Sequence, residues 1–365
     1  MHLAGPDRLV LSPSDLSSFV GCRHRSGLDL AVAQGLLAKP SWFDLGAQAL
    51  RDRGAEHERQ YVDSLKALGL DVVDVREAAD RRAATQAALT RGVDVVVQGV
   101  LDGDGWLGYP DILRRVDVPS GLWPWSYEVY DTKLARETRG STVLQLMVYS
   151  ELLAIVQGRR PEAFHVVTPD PVAPLHSFRV DDYAAYYRLL VSQLRAALER
   201  PADDLQAAYY PEPVEQCDVC RWYDRCHERR RADDHLSFIA GAGRLHRAEL
   251  QAQGVATLAS AAAIPLPVPF KPSRGARETY ERIREQARVQ FEARTEKRPV
   301  WELLAPPTSS SSDAGDRDGH AERPRIGLER LPLSSPGDVF LDLEAARFAR
   351  EGGREYLFGV WMDGH

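Results

Sequence analysis

The sequence predicts an α/β fold for residues 8–232, on two observations. Apolar residues recur with helical and strand periods in the order helix, three strands, helix, strand and a further helix. Hydrophobic residues make up 44% of the 365 residues and charged residues 27%, which is an ordinary globular composition with enough apolar material for two or three domains. The order of the elements indicates that helices and strands belong to one domain.

Helix signals and strand signals alternate along this region. Ser12 and Pro13 are typical of a helix start, Asp15 stands where a capping-box acid reaches back, and Cys22 falls at or just beyond the end of the first helical pattern. Periodicity predicts helices within Leu11–Gln34, Phe43–Leu68, Val143–Val156 and Asp181–Leu198, and strands at Val93–Leu101, Leu107–Val116, Tyr127–Lys133 and Ala163–Thr168.

Residues 233–365 differ in composition. Residues 233–300 alternate helix with glycine turns and resemble a helix-hairpin-helix module, for which both DNA contact and simple packing stay open. Residues 305–325 contain a serine run and almost no apolar residues, which predicts a flexible linker. Residues 326–365 are predicted to contain a strand at Val339–Leu343 and a partner strand at Tyr356–Trp361. Two strands cannot close a core, so we expect the chain to stop inside a domain.

Charge and hydropathy exclude several classes of protein. The net charge of −7, from 46 basic and 53 acidic residues, excludes a globally basic nucleic-acid-binding protein but not a local basic patch. The sequence has no run of 18 apolar residues and no secretory signal, so we expect a cytoplasmic protein without a membrane partner. A phosphate-binding loop motif does not occur in these 365 residues, and no ATPase activity is expected of them.

An acid and a lysine end one predicted strand. Side chains of a strand alternate between its faces, so Asp131 and Lys133 are expected on one face. Asp111 heads the preceding strand and can approach them. Carboxylate and carbonyl oxygens are the ligands that Mg²⁺ and Mn²⁺ prefer. Glu128 has the opposite strand parity and is expected outside this site.

Two helices contribute further polar side chains. His57 lies on the helix before the strands and offers an imidazole ligand, whereas Glu56 and Glu58 are expected to point elsewhere around that helix into solvent. Gln145 and Tyr149 are spaced i, i+4 and therefore share a face of the helix that follows the strands. Each signal is weak by itself, and each residue type is also common in ordinary packing or surface roles.

These motifs follow one another along the chain as a helix with His, a strand with Asp, a strand with Asp-x-Lys and a helix with Gln-x-x-x-Tyr. Their order resembles that of the RecB-like branch of the PD-(D/E)xK nuclease superfamily. The resemblance implies a restriction-endonuclease-like core, a central mixed sheet flanked by helices. It implies that His57, Asp111, Asp131 and the carbonyl of Thr132 bind Mg²⁺ or Mn²⁺. Lys133 would hold the attacking water or counter the charge of the scissile phosphate, and Gln145 with Tyr149 would position the DNA strand or Lys133.

The four cysteines divide into one and three. Cys217, Cys220 and Cys226 lie within ten residues, and Cys22 lies far upstream. By ligand type four thiolates suit zinc or an iron-sulfur cluster, and buried free thiols are the plain alternative. The division resembles the iron-sulfur staple of AddB-type and CRISPR-associated RecB-like nucleases, which implies a structural 4Fe-4S cluster. The cations and aromatics of 221–231 are typical of a single-strand-binding surface or of a solvated helix end.

Asp342 and Glu344 share one face of the Val339–Leu343 strand region and look like the first motif of an RNase H-like, DEDD-type exonuclease, whose later motifs are absent. In larger relatives of the RecB-like group a helicase follows, so a helicase domain or subunit is an expected partner. We therefore expect a metal-dependent nuclease that acts in repair on DNA with single-stranded character. The alternatives are a non-catalytic DNA-binding scaffold with a zinc site and an RNA-processing nuclease.

Overall fold

The computed structural model of the chain describes residues 1–5, 8–41, 45–303, 327–346 and 354–362. It has a mixed α/β architecture with a central, mixed six-stranded sheet flanked by helices. The chain divides into two compact units, residues 1–232 and 233–365. The sheet belongs to the first unit.

The described residues of the first unit form ten strands and eight α-helices. In chain order they are β1 (His2–Leu3), β2 (Leu9–Val10), α1 (Pro13–Gly21), α2 (Arg23–Ala33), α3 (Leu45–Ala67), β3 (Val72–Asp74), α4 (Arg81–Arg91), β4 (Val95–Val97), β5 (Leu101–Gly103), β6 (Trp106–Gly108), β7 (Ile112–Val116), β8 (Ser126–Thr132), α5 (Gly140–Gln157), β9 (Ala163–Val167), β10 (Leu175–Arg179), α6 (Val180–Leu198), α7 (Ala202–Ala208) and α8 (Tyr223–Ala232).

The sheet has the strand order β10-β9-β8-β7-β4-β3. Strand β7 runs antiparallel to both of its neighbours, β4 and β8, while β8 is parallel to β9 and β3 is parallel to β4. The amino end of β7 therefore lies beside the carboxyl ends of β4 and β8, and β9 ends at the same edge. This edge carries the candidate site.

The two faces of the sheet pack against different helices. On one face Tyr127 and Val129 join a large core with side chains of α1, α2 and α4 to α7. On the other face Ile112 and Tyr130 pack with Val62 and Leu65 of α3. Because successive strand residues alternate between faces, this division also decides on which side each polar residue of β7 and β8 lies.

The first helix ends at Gly21, so the expectation that Cys22 falls at or just beyond its end is confirmed, and a second helix begins at Arg23. Asp15 accepts hydrogen bonds from the backbone N–H of Ser12 at 2.7 Å and from its hydroxyl at 2.8 Å, so the expected helix start is confirmed. Cys22 has extended backbone dihedrals and separates α1 from α2. The break presents this cysteine at a corner between two helices.

Two strand predictions were too long. The valine-rich strand ends at Val97 because Gln98 adopts a left-handed conformation, with φ of 54°. Leu101 instead opens the small β5–β6 hairpin. The predicted strand Leu107–Val116 is split between β6 and β7, and Pro110, which has no backbone N–H to donate, lies in the gap. Periodicity missed several elements, among them β3, α4, β10 and α7.

The second unit contains a helical part. Its helices are α9 (Arg244–Ala252), α10 (Leu258–Ala262) and α11 (Arg277–Glu296). They share a core that includes Leu250, Leu258, Tyr280 and Ile283. A turn at Gly254, with φ of 78°, joins α9 to α10, so short glycine-linked helices are present.

The second unit also contains a hairpin of β11 (Val339–Ala346) and β12 (Arg354–Met362), which are antiparallel as expected. Large apolar side chains of both strands, such as Phe340, Leu341 and Trp361, are exposed. The predicted linker at 305–325 lies outside the described residues. No described helix is both long and apolar enough to cross a membrane.

Candidate active site and cysteine site

Asp111 lies at the amino end of β7 and is held from two sides. Its Oδ2 accepts hydrogen bonds from the Thr132 backbone N–H at 2.9 Å and from the Thr132 hydroxyl at 3.1 Å. Its Oδ1 accepts a longer bond, 3.3 Å, from the side-chain amide of Gln98. Thr132 ends β8 and Gln98 follows β4, so the antiparallel register of β7 with both strands places this carboxylate between them.

Asp131 is a deeply buried acid beside Asp111, with 1% of its surface exposed. Lys133 Nζ forms an ion pair with Oδ2 of Asp131, and beyond this ammonium group the buried oxygen has no hydrogen-bond donor within the described residues. Burial, and then the neighbouring Asp111 carboxylate, raise the pKa of Asp131 from 3.8 to about 7. The expected shared face of Asp131 and Lys133 is confirmed.

Lys133 remains a cation in this setting. Burial alone would lower the pKa of its ammonium group, but the charges of Asp131, Asp111 and Glu58 outweigh burial and raise the pKa. About a third of the side chain is exposed. The site therefore presents a fixed positive charge beside a concentration of negative charge.

Glu58 belongs to this acidic site, so the expectation of a solvated Glu58 was wrong. Its side chain is 13% exposed, and its Oε1 accepts a hydrogen bond from Gln98 Nε2 at 3.1 Å and pairs with Arg76 at 3.0 Å. Burial, and then the charge of Asp111, raise the pKa of Glu58. Glu56, by contrast, is exposed and pairs with Arg59, as expected of a surface residue.

A sequence signal for Glu58 did exist. It lies four and seven residues before Val62 and Leu65, which pack on the sheet, so helical spacing puts all three on one face of α3. A signal for Gln98 is weaker: it is the polar residue that ends the buried run Val95–Val97, directly before Gly99.

His57 lies at the same sheet edge. Its Nε2 is 3.3 Å from the carbonyl oxygen of Val167, which also accepts the backbone N–H of Lys133 at 2.9 Å. Because a carbonyl oxygen only accepts, Nε2 must carry the proton in this contact, which leaves Nδ1 of a neutral imidazole with a free lone pair. The imidazole thus neighbours the Lys133 backbone, and no hydrogen bond joins it to Asp111 or Asp131 within the described residues.

Gln145 and Tyr149 act on the segment before Asp111. Gln145 Nε2 donates to the Tyr149 hydroxyl at 3.4 Å, and that hydroxyl donates to the carbonyl of Tyr109 at 3.1 Å. A Cβ at Gly108 would come within 2.5 Å of the Tyr149 ring, so only glycine fits there. In the part of the chain that the structure describes, these hydrogen bonds do not reach Lys133.

Glu128 lies on the other face of β8, as its parity predicted. It accepts hydrogen bonds from the backbone of Ala163 at 3.1 Å and from Nε2 of His165 at 2.9 Å. Nδ1 of His165 contacts the hydroxyl of Ser177 at 2.9 Å, and the His165 ring stacks on Tyr130. Every member of this group has a partner.

The four cysteines belong to the two ends of the first unit's sequence, but they lie close together in space. Cys22, Cys217, Cys220 and Cys226 line one cavity of about 20 Å³ and form no disulfide. Burial, and then the neighbouring cysteines, raise the pKa of Cys226 to about 12, and burial raises the pKa of Cys22. A metal ion bound among the four sulfur atoms would offset the charge of their thiolate forms.

Contacts around the cysteine site join the first and last parts of the unit. Trp222, 2% exposed, donates from Nε1 to Asp29 at 2.9 Å, and Nδ1 of His24 lies 2.6 Å from the carbonyl of Tyr209. Arg230 is buried and donates to the carbonyl of Pro211 at 3.1 Å. Trp222 and Arg230 therefore support the fold. The expectation that residues 221–231 form a surface for single-stranded nucleic acid was wrong for these two residues.

Within the described residues, no group of three or more His, Cys, Asp and Glu side chains is arranged so that it could hold a metal ion. Neither a comparison with protein-family models nor a search of curated proteins found a match for this chain.

Proposed function

We propose that the first unit is a Mg²⁺- or Mn²⁺-dependent nuclease of the RecB-like PD-(D/E)xK type that hydrolyses phosphodiester bonds of DNA. One observation carries the proposal. Asp111, Asp131 and Lys133, from two strands, meet at one edge of the sheet, where the acids raise the pKa of Lys133 and Asp111 raises that of Asp131. Side chains whose pKa values are strongly shifted by one another's charges are typical of catalytic sites.

The donor set fits a divalent cation. Asp131 is a buried carboxylate with an oxygen that has no hydrogen-bond donor in the described chain beyond the ammonium group of its ion pair, and Asp111 and Glu58 add negative charge beside it. Asp111 and Asp131 would hold the ion, and the imidazole of His57, which lies at the same sheet edge, would be a further donor. The bound ion would lower the pKa of water and neutralise charge that develops on the phosphate.

The chain's own residues perform the remaining tasks. Lys133 stays charged and supplies a preorganised cation for the phosphate, and its contact with Asp131 keeps it at the site. Thr132 orients Asp111 through two hydrogen bonds, and Tyr149 fixes the backbone that leads to it. Precise orientation matters because small misplacements of catalytic groups cost large factors in rate.

A cleavage assay with end-labelled DNA and Mn²⁺ tests this function. We expect the parent protein to cut DNA and Lys133→Ala to lose activity by roughly 10²-fold or more, because a fixed charge that stabilises the transition state is removed. Lys66→Ala is the matched control, since Lys66 is an exposed lysine paired with Asp63. Metal-dependent binding of DNA without cleavage would instead support a scaffold, and preference for an RNA strand would support an RNA-processing nuclease.

We further propose that the cysteine site holds a 4Fe-4S cluster with a structural role. Four thiols around one cavity fit the donor set of such a cluster, and the hydrogen bond from Trp222 to Asp29 joins α2 to the segment before α8. An anaerobic preparation should be brown and contain iron and acid-labile sulfide, and Cys217→Ser should lose both. A colourless anaerobic preparation with stoichiometric zinc would contradict the cluster.

A further inference from the structure

Gln98 adopts a backbone conformation that glutamine rarely takes. Its φ of 54° is in the left-handed region, where a side chain with a Cβ is strained. It directly follows the buried strand β4 and precedes Gly99. Strained positions of this kind persist only when surrounding contacts enforce them, and they are concentrated at functional sites.

The surrounding contacts do enforce the conformation. The backbone N–H of Gln98 donates to the carbonyl of Asp111 at 2.8 Å, and its carbonyl accepts a hydrogen bond from Arg81 at 2.6 Å. Both backbone polar groups are therefore satisfied by specific partners. The conformation is part of the sheet edge that also presents Asp111.

In this conformation the side-chain amide bridges two acids. Gln98 Nε2 donates to Glu58 Oε1 at 3.1 Å and to Asp111 Oδ1 at 3.3 Å, one amide hydrogen for each carboxylate. Glu58 belongs to α3 and Asp111 precedes β7, so helix and sheet meet through this amide. Two carboxylates repel each other, and a shared donor lowers the cost of keeping them close.

The hydrogen bonds leave one oxygen of Glu58 available. Within the described residues the Gln98 bond and the Arg76 pair both go to Oε1 of Glu58, and neither uses Oε2. Carboxylate oxygens oriented by hydrogen bonds to the partner oxygen are typical of metal ligands whose surroundings are ordered.

We propose that Gln98 is a positioning residue that directs Glu58 and Asp111 at the same divalent ion, so that Glu58 is a third carboxylate ligand beside Asp111 and Asp131. The assignment rests on the proposed metal-dependent function of this site. It adds a ligand from α3 and explains why a strained glutamine stands where glycine would fit the backbone more easily.

Direct titration of the full-length protein with Mn²⁺, by calorimetry or by electron paramagnetic resonance, tests the assignment without an activity assay. Glycine tolerates the left-handed conformation, so Gln98→Gly keeps the backbone and removes only the amide. We expect this variant to keep the parent's circular dichroism spectrum and to bind Mn²⁺ roughly 10-fold or more weakly, as when other supporting residues of metal ligands are removed. Glu58→Gln should weaken binding at least as much.

Two matched variants serve as controls. Glu56→Gln changes an exposed acid two residues before Glu58, and Asp104→Gly replaces another left-handed residue of the same unit, with φ of 48°. Both should bind Mn²⁺ as the parent does. Asp131→Asn should abolish binding and thereby identify the site.

The outcomes separate the two proposals. If the parent binds Mn²⁺ and Gln98→Gly binds it equally well, the positioning role is wrong while the nuclease proposal stands. If the parent binds no Mn²⁺, both fall. Should Gln98→Gly not fold, Gln98→Asn keeps an amide that is one methylene too short to bridge both acids, and unchanged affinity in this variant would overturn the assignment.

Discussion

Strand β8 carries two buried acids on opposite faces, and their surroundings differ. Glu128 has a hydrogen-bond donor for each carboxylate oxygen, the backbone of Ala163 and the ring of His165. Asp131, three residues later, has an ion pair with Lys133, a second acid beside it and an oxygen that has no hydrogen-bond donor in the described chain beyond the Lys133 ammonium group. The two acids share a strand and are both shielded from solvent, with 1% of Asp131 and 13% of the Glu128 side chain exposed, but they differ in the partners of their oxygens.

The difference separates a structural acid from a candidate catalytic one. Buried polar groups of stable proteins are normally paired, because an unpaired group loses its hydration without compensation. Glu128 obeys this rule and joins β8 to β9. Asp131 has the Lys133 ammonium as its ion-pair partner and a second acid beside it, and burial and that second acid raise its pKa to about 7, as is common in catalytic sites.

Replacing each acid by its amide should give the largest contrast. Asp131→Asn is expected to reduce metal-dependent DNA cleavage by roughly 10³-fold or more, because a metal ligand and the partner of Lys133 are lost together. Glu128→Gln should cleave at the parent rate, since an amide oxygen still accepts from Ala163 or His165. Initial rates on the same end-labelled DNA measure both, and similar losses in the two variants would contradict the distinction.

The pH dependence of stability should also distinguish the two acids. The pKa of Asp131 is raised from 3.8 to about 7 in the folded chain, so the folded state binds more protons than the unfolded state between these values. The free energy of unfolding of the metal-free protein should therefore contain a contribution that is complete at pH 4 and lost as pH rises through 7, at most about 4 kcal/mol.

Urea unfolding in EDTA between pH 4 and pH 8 measures this contribution as the difference between the parent and Asp131→Asn. The variant should lack the decline, and Glu128→Gln should keep it. A parent and an Asp131→Asn variant with parallel profiles would show that Asp131 titrates normally.

On the face of β8 that carries Glu128, His165→Ala should lower the stability of the fold without changing metal binding or cleavage. The substitution removes the donor to Glu128 Oε2 and the ring that stacks on Tyr130. We expect a loss of about 2–3 kcal/mol in the free energy of unfolding, because a hydrogen bond to a charged group is removed and an acid is left without its partner. Mn²⁺ affinity should stay that of the parent, and a weaker affinity would mean that the two faces are coupled.

The smallest effect is expected at Tyr149. Tyr149→Phe removes one hydroxyl, whose bond of 3.1 Å to the carbonyl of Tyr109 orders the segment before Asp111. The cost should be about 1 kcal/mol in unfolding, with a modest fall in kcat and an unchanged affinity for DNA. Weaker DNA binding with an unchanged kcat would instead indicate that the hydroxyl contacts the DNA strand.

Local patterns predicted much of the first unit. The helix start at Ser12, the helix of Val143–Val156 and the strand that ends in Asp131 and Lys133 follow from capping residues and periodicity, which act over a few residues. Elements with weak patterns, such as the three residues of β3, were missed because so short a strand is defined by its neighbours and not by its own sequence.

Glu58 and Gln98 show the limit of such patterns at the site. An acid on a charged helix is usually solvated, and only the packing of α3 on the sheet brings Glu58 to within a hydrogen bond of Gln98. The bridge by Gln98 depends on a backbone dihedral that no pattern of residue types predicted. Both residues depend on contacts between segments far apart in the chain.

The amino-acid sequence by itself determined which side chains alternate across β8, and hence that Asp131 and Lys133 share one face while Glu128 lies on the other, because the period of a strand is a local property of the backbone. Only the tertiary structure decided that Asp111, Asp131 and Glu58 lie together and that the four cysteines line one cavity. Strand order, register and helix packing arise from long-range burial, which joins residues that are distant in sequence.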